Sequence, residues 1–190
     1  NGVALADIEL ALRAKGDWIV RKLHEQHQRV RGLHAARMRW QHGAALPFLG
    51  EPLTLQLDHG CRGVAIGADR TTLHVGLPAD AVPAHIRDAV QGWLQHQARS
   101  VFEARCGHFA PRLGVQVRRL ALSSAATRWG SARADGSIRL NWRLLQAHSH
   151  VIDYVVAHEV AHLRVLSHST RFWRLVERLY PDYESAKAEL

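Results

Sequence analysis

Cysteine is nearly missing from this 190-residue chain: Cys61 and Cys106 are the only two, and they form no C-x-x-C pattern. That excludes a disulfide framework and any zinc site built from cysteine alone. No run approaches the roughly eighteen uninterrupted apolar residues of a membrane span, so no membrane partner is expected. Residues 1–20 lack both the basic start and the apolar core of a secretory signal, and a cytoplasmic location is expected. Acidic residues are also short, 17 Asp+Glu against 25 Lys+Arg, which leaves a formal charge of +8. Lysine is scarce too: 22 of the basic residues are Arg and 3 are Lys. What remains is 47% apolar and 22% charged, too rich in core formers for a disordered chain. The length predicts a single core rather than a multidomain assembly.

A sequence pI near 10.5 permits attraction to nucleic acid, anionic lipid or acidic proteins. The arginines are scattered, however, and no helix-turn-helix, zinc-knuckle or aromatic RNA-binding pattern accompanies them. Charge alone assigns no partner.

Apolar spacing predicts an amphipathic helix over residues 6–30. Residues 43–82 are punctuated by Pro and Gly between alternating runs such as Leu53–Leu57 and Leu73–Leu77, which read as antiparallel strands and hairpins. Residues 83–107 return to helix. A strand over 114–122, a hairpin turning at Asp135-Gly136, and helices over 150–166 and 170–179 follow. The expected class is α+β, with a helix and strand region at 1–82 packed on the same core and the chemistry in 83–190.

His158-Glu159-Val160-Ala161-His162 is an H-E-x-x-H sequence. In a helix, residues i and i+4 stand one turn apart on one face, so both imidazoles reach one metal ion. Glu159, beside the first, can take a proton from a water held at that metal. With 14 His and 8 Glu in 190 residues, chance supplies about 0.04 such sequences, so the pattern carries weight. Val151, Ile152, Val155, Val156, Val160 and Ala161 make this helix apolar nearly all round, hence buried, where ionisable groups are costly unless paired or coordinated.

A catalytic zinc takes three protein ligands and leaves the fourth position to water. His168 lies six residues beyond His162, which on a continuous helix would turn it about 240° away. The helix must therefore end within 163–167 so that His168 folds back; Ser167 and Ser169 both suit a new helix start. His168 is the expected third ligand, with Glu177 and Glu184 as rivals. Metzincins share the six-residue spacing, but Val165 stands at their glycine position. The only methionine, Met38, lies far upstream of where a methionine turn belongs.

Thr127-Arg128-Trp129-Gly130-Ser131, Ile138 to Leu144, Asp153 to Leu163 and His168 to Trp173 together resemble the YgjP-like (DUF45) metallopeptidases, bacterial proteins related to the SprT and WLM zinc-protease groups. The motif match runs over residues 127–181. The resemblance implies a zincin-like α+β domain with an antiparallel sheet and an active-site helix. It implies one zinc ion held by His158, His162 and His168, and Glu159 as the catalytic glutamate. The reaction implied is hydrolysis of a peptide or protein substrate by zinc-bound water that Glu159 activates. Ala132 departs from the family's usual Trp-Gly-Ser-Cys, without touching the zinc ligands.

Such a site needs a donor for the tetrahedral oxyanion, and Arg128, Tyr154, Asn141 and Arg171 are the candidates. The strand at 137–141 is expected to offer the edge on which an extended substrate pairs. Trp129 and Trp142 are expected to pack on the active-site helix, and His148 and His150 to be solvated loop residues. The alternative function is a nucleic-acid-associated zinc-binding module, or a protease acting on DNA-bound proteins, by analogy with the SprT and WLM relatives.

Overall fold

The computed structural model describes residues 38–190; the helix expected over 6–30 lies outside the described residues. Four strands come first: β1 Ala45–Phe48, β2 Glu51–Leu57, β3 Val64–Ile66 and β4 Thr72–Val75, in sheet order β1-β2-β4-β3. Helix α1, Pro83–Phe109, follows. A second sheet holds β5 Arg119–Ser123, β6 Gly130–Ala132 and β7 Ser137–Asn141 in the order β5-β7-β6. Helices α2 Ser149–His162, α3 Thr170–Leu179 and α4 Tyr183–Glu189 complete the described chain. Val82 is the residue that precedes α1.

Local sequence accounts for these elements. In β2 the period-two alternation buries Leu53, Leu55 and Leu57 and leaves Thr54 and Gln56 exposed. Helix α1 starts at Pro83, whose missing N–H is no loss at a first helical position. Its Ile86, Val90, Leu94, Ala98, Phe102, Cys106 and Phe109 recur every three or four residues and form one buried stripe. That stripe packs against both sheets and α2. The three-residue turn at Pro111–Leu113 ends on Gly114, whose φ of 61° lies in the left-handed region.

The α+β class holds, but the expectation of antiparallel pairing is corrected: both sheets are mixed. Leu55 of β2 lies opposite Leu73 of β4 in a parallel pair, and Leu120 of β5 lies opposite Ile138 of β7 likewise. Antiparallel pairs flank them: β1 with β2, β3 with β4, and β6 with β7. In each sheet a strand is followed by a hairpin whose second strand inserts beside it, which leaves the hairpin's first strand outside. Alternation reports which residues form strands and not their direction, so this arrangement is silent in the sequence. It also corrects the edge assignment. β7 at 137–141 is the central strand, paired on both sides, and β6 is an edge.

Candidate metal centre

Helix α2 is buried along most of its length, including Val151, Val155, Val156, Val160 and Ala161. It ends at His162, where the amides of Leu163 and Arg164 turn back to the carbonyls of Val160 and Ala161. The Arg164 guanidinium then fastens the exit loop, donating to the Leu113 carbonyl from Nε at 3.0 Å and Nη2 at 2.8 Å. The chain returns through Ser167 to His168, and Ser169 takes the N-cap position of α3 without a side-chain cap bond. The early stop brings three ring nitrogens together. Nε2 of His162 is 3.2 Å from Nε2 of His158 and 3.1 Å from that of His168, and the His158–His168 separation is 3.1 Å.

Phe172, fully buried on the first turn of α3, holds the rings. It stacks on His162 at 4.4 Å between centroids and meets His158 and His168 edge-on at 4.8 and 4.9 Å. Trp173 stacks on His168 at 5.9 Å. Tyr183 of α4 stacks in turn on Trp173 at 5.5 Å.

The donor set fits a tetrahedral ion. Zinc–nitrogen bonds of about 2.0–2.1 Å place tetrahedral donors roughly 3.3 Å apart, close to the separations found. His162 Nδ1 lies 3.1 Å from the Val165 carbonyl. A carbonyl only accepts, so Nδ1 carries the proton and Nε2 presents its lone pair to the cluster. His158 is held neutral, its pKa lowered to about 3 by burial and then by the neighbouring His162 and His168. Burial lowers His162 as well, against the opposing Val165 bond. His158 Nδ1 is buried with no hydrogen-bond partner, a cost that coordination at Nε2 would offset. Glu177 and Glu184 are exposed and lie outside this cluster.

Glu159 is 5% exposed, and its Oε2 is buried without a partner. Burial pushes its carboxyl up to about 7. Its side chain lies against Gly130 of β6: a Cβ there would fall 2.7 Å from both Cγ and Cδ of Glu159. Of the oxyanion candidates, Tyr154 is buried one turn before His158 and meets that ring edge-on at 5.8 Å. Burial, then the Glu159 charge, pushes its hydroxyl up to about 12, so it remains a donor. Arg128 and Arg171 are exposed, in the loop before β6 and on α3. Asn141 is excluded by its bonds. Its Nδ2 donates to the Ala125 carbonyl at 2.8 Å and its Oδ1 accepts from the Arg143 amide at 3.1 Å, which fixes the loop before β6.

The sequence model for the YgjP-like metallopeptidase domain matches residues 1–190. This chain belongs to the YgjP-like metallopeptidase family. It is accordingly a peptidase domain whose family works with a metal. A solved structure, the metallopeptidase zymogen of Pyrococcus abyssi abylysin, is also similar at 28% identity. The similarity covers 46% of this chain and 86% of that one, with a TM-score of 0.41. No curated protein matches.

Three features of this YgjP-like domain were not foreseen from sequence. Phe172 buttresses all three histidines; its place four residues beyond His168 is the available signal. Gly130 gives Glu159 its space, legible only once β6 is laid over α2. His148 and His150 are solvent-exposed at the start of α2, and both are also paired. His148 Nδ1 lies 2.6 Å from Glu189 Oε1 and His150 Nε2 lies 2.7 Å from Oε2, so both rings clamp the end of α4. Those are hydrogen-bond lengths that engage both carboxylate oxygens. Trp142 is buried and Trp129 half-buried.

Proposed function

We propose that this domain is a zinc-dependent peptidase in which His158, His162 and His168 hold one zinc ion and Glu159 is the general base. The observation that carries the reading is the convergence of three Nε2 atoms at 3.1–3.2 Å, next in sequence to a buried glutamate with an unpartnered oxygen. A zinc ion held by His158, His162 and His168 would supply Lewis-acid chemistry there, polarising the scissile carbonyl and lowering the pKa of a bound water towards neutrality. The Glu159 carboxylate takes the proton of the attacking water and passes it to the leaving amine, so one group serves as base and then as acid. Burial raises the Glu159 carboxyl to about 7, and a cation held by the neighbouring histidines would favour its ionised, proton-accepting form. The Tyr154 hydroxyl is the best placed donor for the oxyanion, with Arg128 and Arg171 as outer cations.

β6 supplies the pairing edge for an extended substrate, since its residues Gly130–Ala132 are hydrogen-bonded to β7 alone and Gly130 abuts Glu159. The experiment is cleavage of an unbiased peptide pool by the zinc-loaded protein. Chelation should abolish cleavage and added zinc should restore it; cleavage that survives complete metal removal would defeat the reading.

A further inference from the structure

The outer face of the second sheet concentrates charge of one sign. Register sets Ala121, Arg139 and Ser131 side by side across β5, β7 and β6, and Arg119 beside Ser137. Leu120, Ile138 and Leu140 take the opposite, inward face. The outward residues and the loop before β6 line a depression of about 370 Å³ that includes Arg119, Arg128, Arg133 and Arg139 and no acidic residue. All four arginines are exposed, and none forms an ion pair with a carboxylate among the described residues. Asp135, in the β6–β7 turn, accepts from the Ser137 amide at 2.8 Å and is not part of the lining.

We propose that this face selects acidic side chains in the extended peptide that pairs with β6; the inference rests on the peptidase reading above. A strand added to β6 alternates its side chains between the two faces of the sheet. Every second residue therefore falls on the face that carries Ser131, Arg133 and Arg139, where exposed guanidinium groups can meet carboxylates with bidentate geometry. Continuity with the edge strand favours a peptide over nucleic acid. Single-stranded nucleic acid needs successive stacking platforms, and Trp129 is the one aromatic in the lining.

The test uses zinc-loaded protein and extended peptides with Glu, Gln or Lys at alternate positions. Arg133→Glu/Arg139→Glu should lower kcat/KM for the Glu peptide about tenfold, leave the Gln peptide near its starting value, and raise the Lys peptide by a similar factor. The zinc-loaded Glu159→Gln variant, alone and combined with the double charge reversal, gives Kd values for the same peptides by anisotropy. Those should show the same order, and this arm decides the charge preference even if no peptide is cleaved. Absence of any cleavage would fail the peptidase reading; cleavage without a charge preference would fail only this inference. Equal losses for all three peptides would overturn the inference. So would an oligonucleotide affinity that the double reversal abolishes while peptide preference stays unmoved.

Discussion

Gly130 of β6 packs its bare Cα against the Glu159 side chain of α2: a Cβ at residue 130 would sit 2.7 Å from Cγ and Cδ of that glutamate. No ordinary carbon contact is that short, so the edge strand fixes where the carboxylate stands. Gly130→Ala should move Glu159 while leaving the three histidines in place. The expected outcome is a fall in kcat of about a hundredfold with zinc content unchanged, and a stability loss of about 1–3 kcal/mol from overpacking. Steady-state kinetics beside metal analysis check it; wild-type kcat in the alanine variant would show that Glu159 has room to spare.

Glu159 should also make the metal-free protein less stable as pH rises. Its folded pKa, about 7, lies above the ordinary 4.5, so the folded chain holds a proton that the unfolded chain has lost between those values. Stability from this group is complete below about pH 4.5 and disappears as pH climbs through 7. Glu159→Gln cannot ionise and escapes that loss. The metal-free variant should exceed wild type at pH 8 by on the order of 3 kcal/mol and match it near pH 4.5. His158, neutral by burial, loses stability below its ordinary 6.5 in both proteins and cancels in the comparison. Denaturant unfolding at the two pH values reads the difference.

Arg164 touches no metal donor, yet its bonds to the Leu113 carbonyl hold the loop that returns His168. Arg164→Ala should weaken zinc affinity at least tenfold by freeing that loop, as loss of an outer support does at metal sites. Competition with a chromophoric chelator measures it. The variant should still bind zinc at high concentration, because all three imidazoles remain.

The clamp of His148 and His150 on Glu189 ties α4 to the start of α2. Hydrogen bonding from His148 holds the Glu189 carboxyl below its ordinary 4.5. A depressed carboxylate stabilises above its unfolded value and loses that contribution as pH falls below it. Glu189→Gln should therefore speed amide exchange in α4 at pH 7, and the difference from wild type should vanish in acid. Exchange rates in residues 183–189 decide it.

Much of this was legible in the sequence because one element carries it. H-E-x-x-H needs only helical periodicity to bring His158 and His162 together, and the net 240° turn to His168 requires the break that Leu163 and Arg164 supply. What stayed hidden depends on elements far apart in the chain. Parallel pairing of β5 with β7, and with it the identity of the edge strand, is decided by how a hairpin docks, which alternation does not encode. Asn141 is an oxyanion candidate by position in the sequence, but its bond to the Ala125 carbonyl joins segments sixteen residues apart and carries no local pattern. The His148–His150–Glu189 clamp spans about forty residues and carries no local pattern.

The most direct test measures zinc content and peptide hydrolysis in wild type, Glu159→Gln and His168→Ala side by side. The expected result is one zinc per chain in wild type and in Glu159→Gln, hydrolysis in wild type alone, and reduced zinc occupancy in His168→Ala. Glu159→Gln that cleaves at the wild-type rate, or His168→Ala that binds zinc with undiminished affinity, would contradict the account.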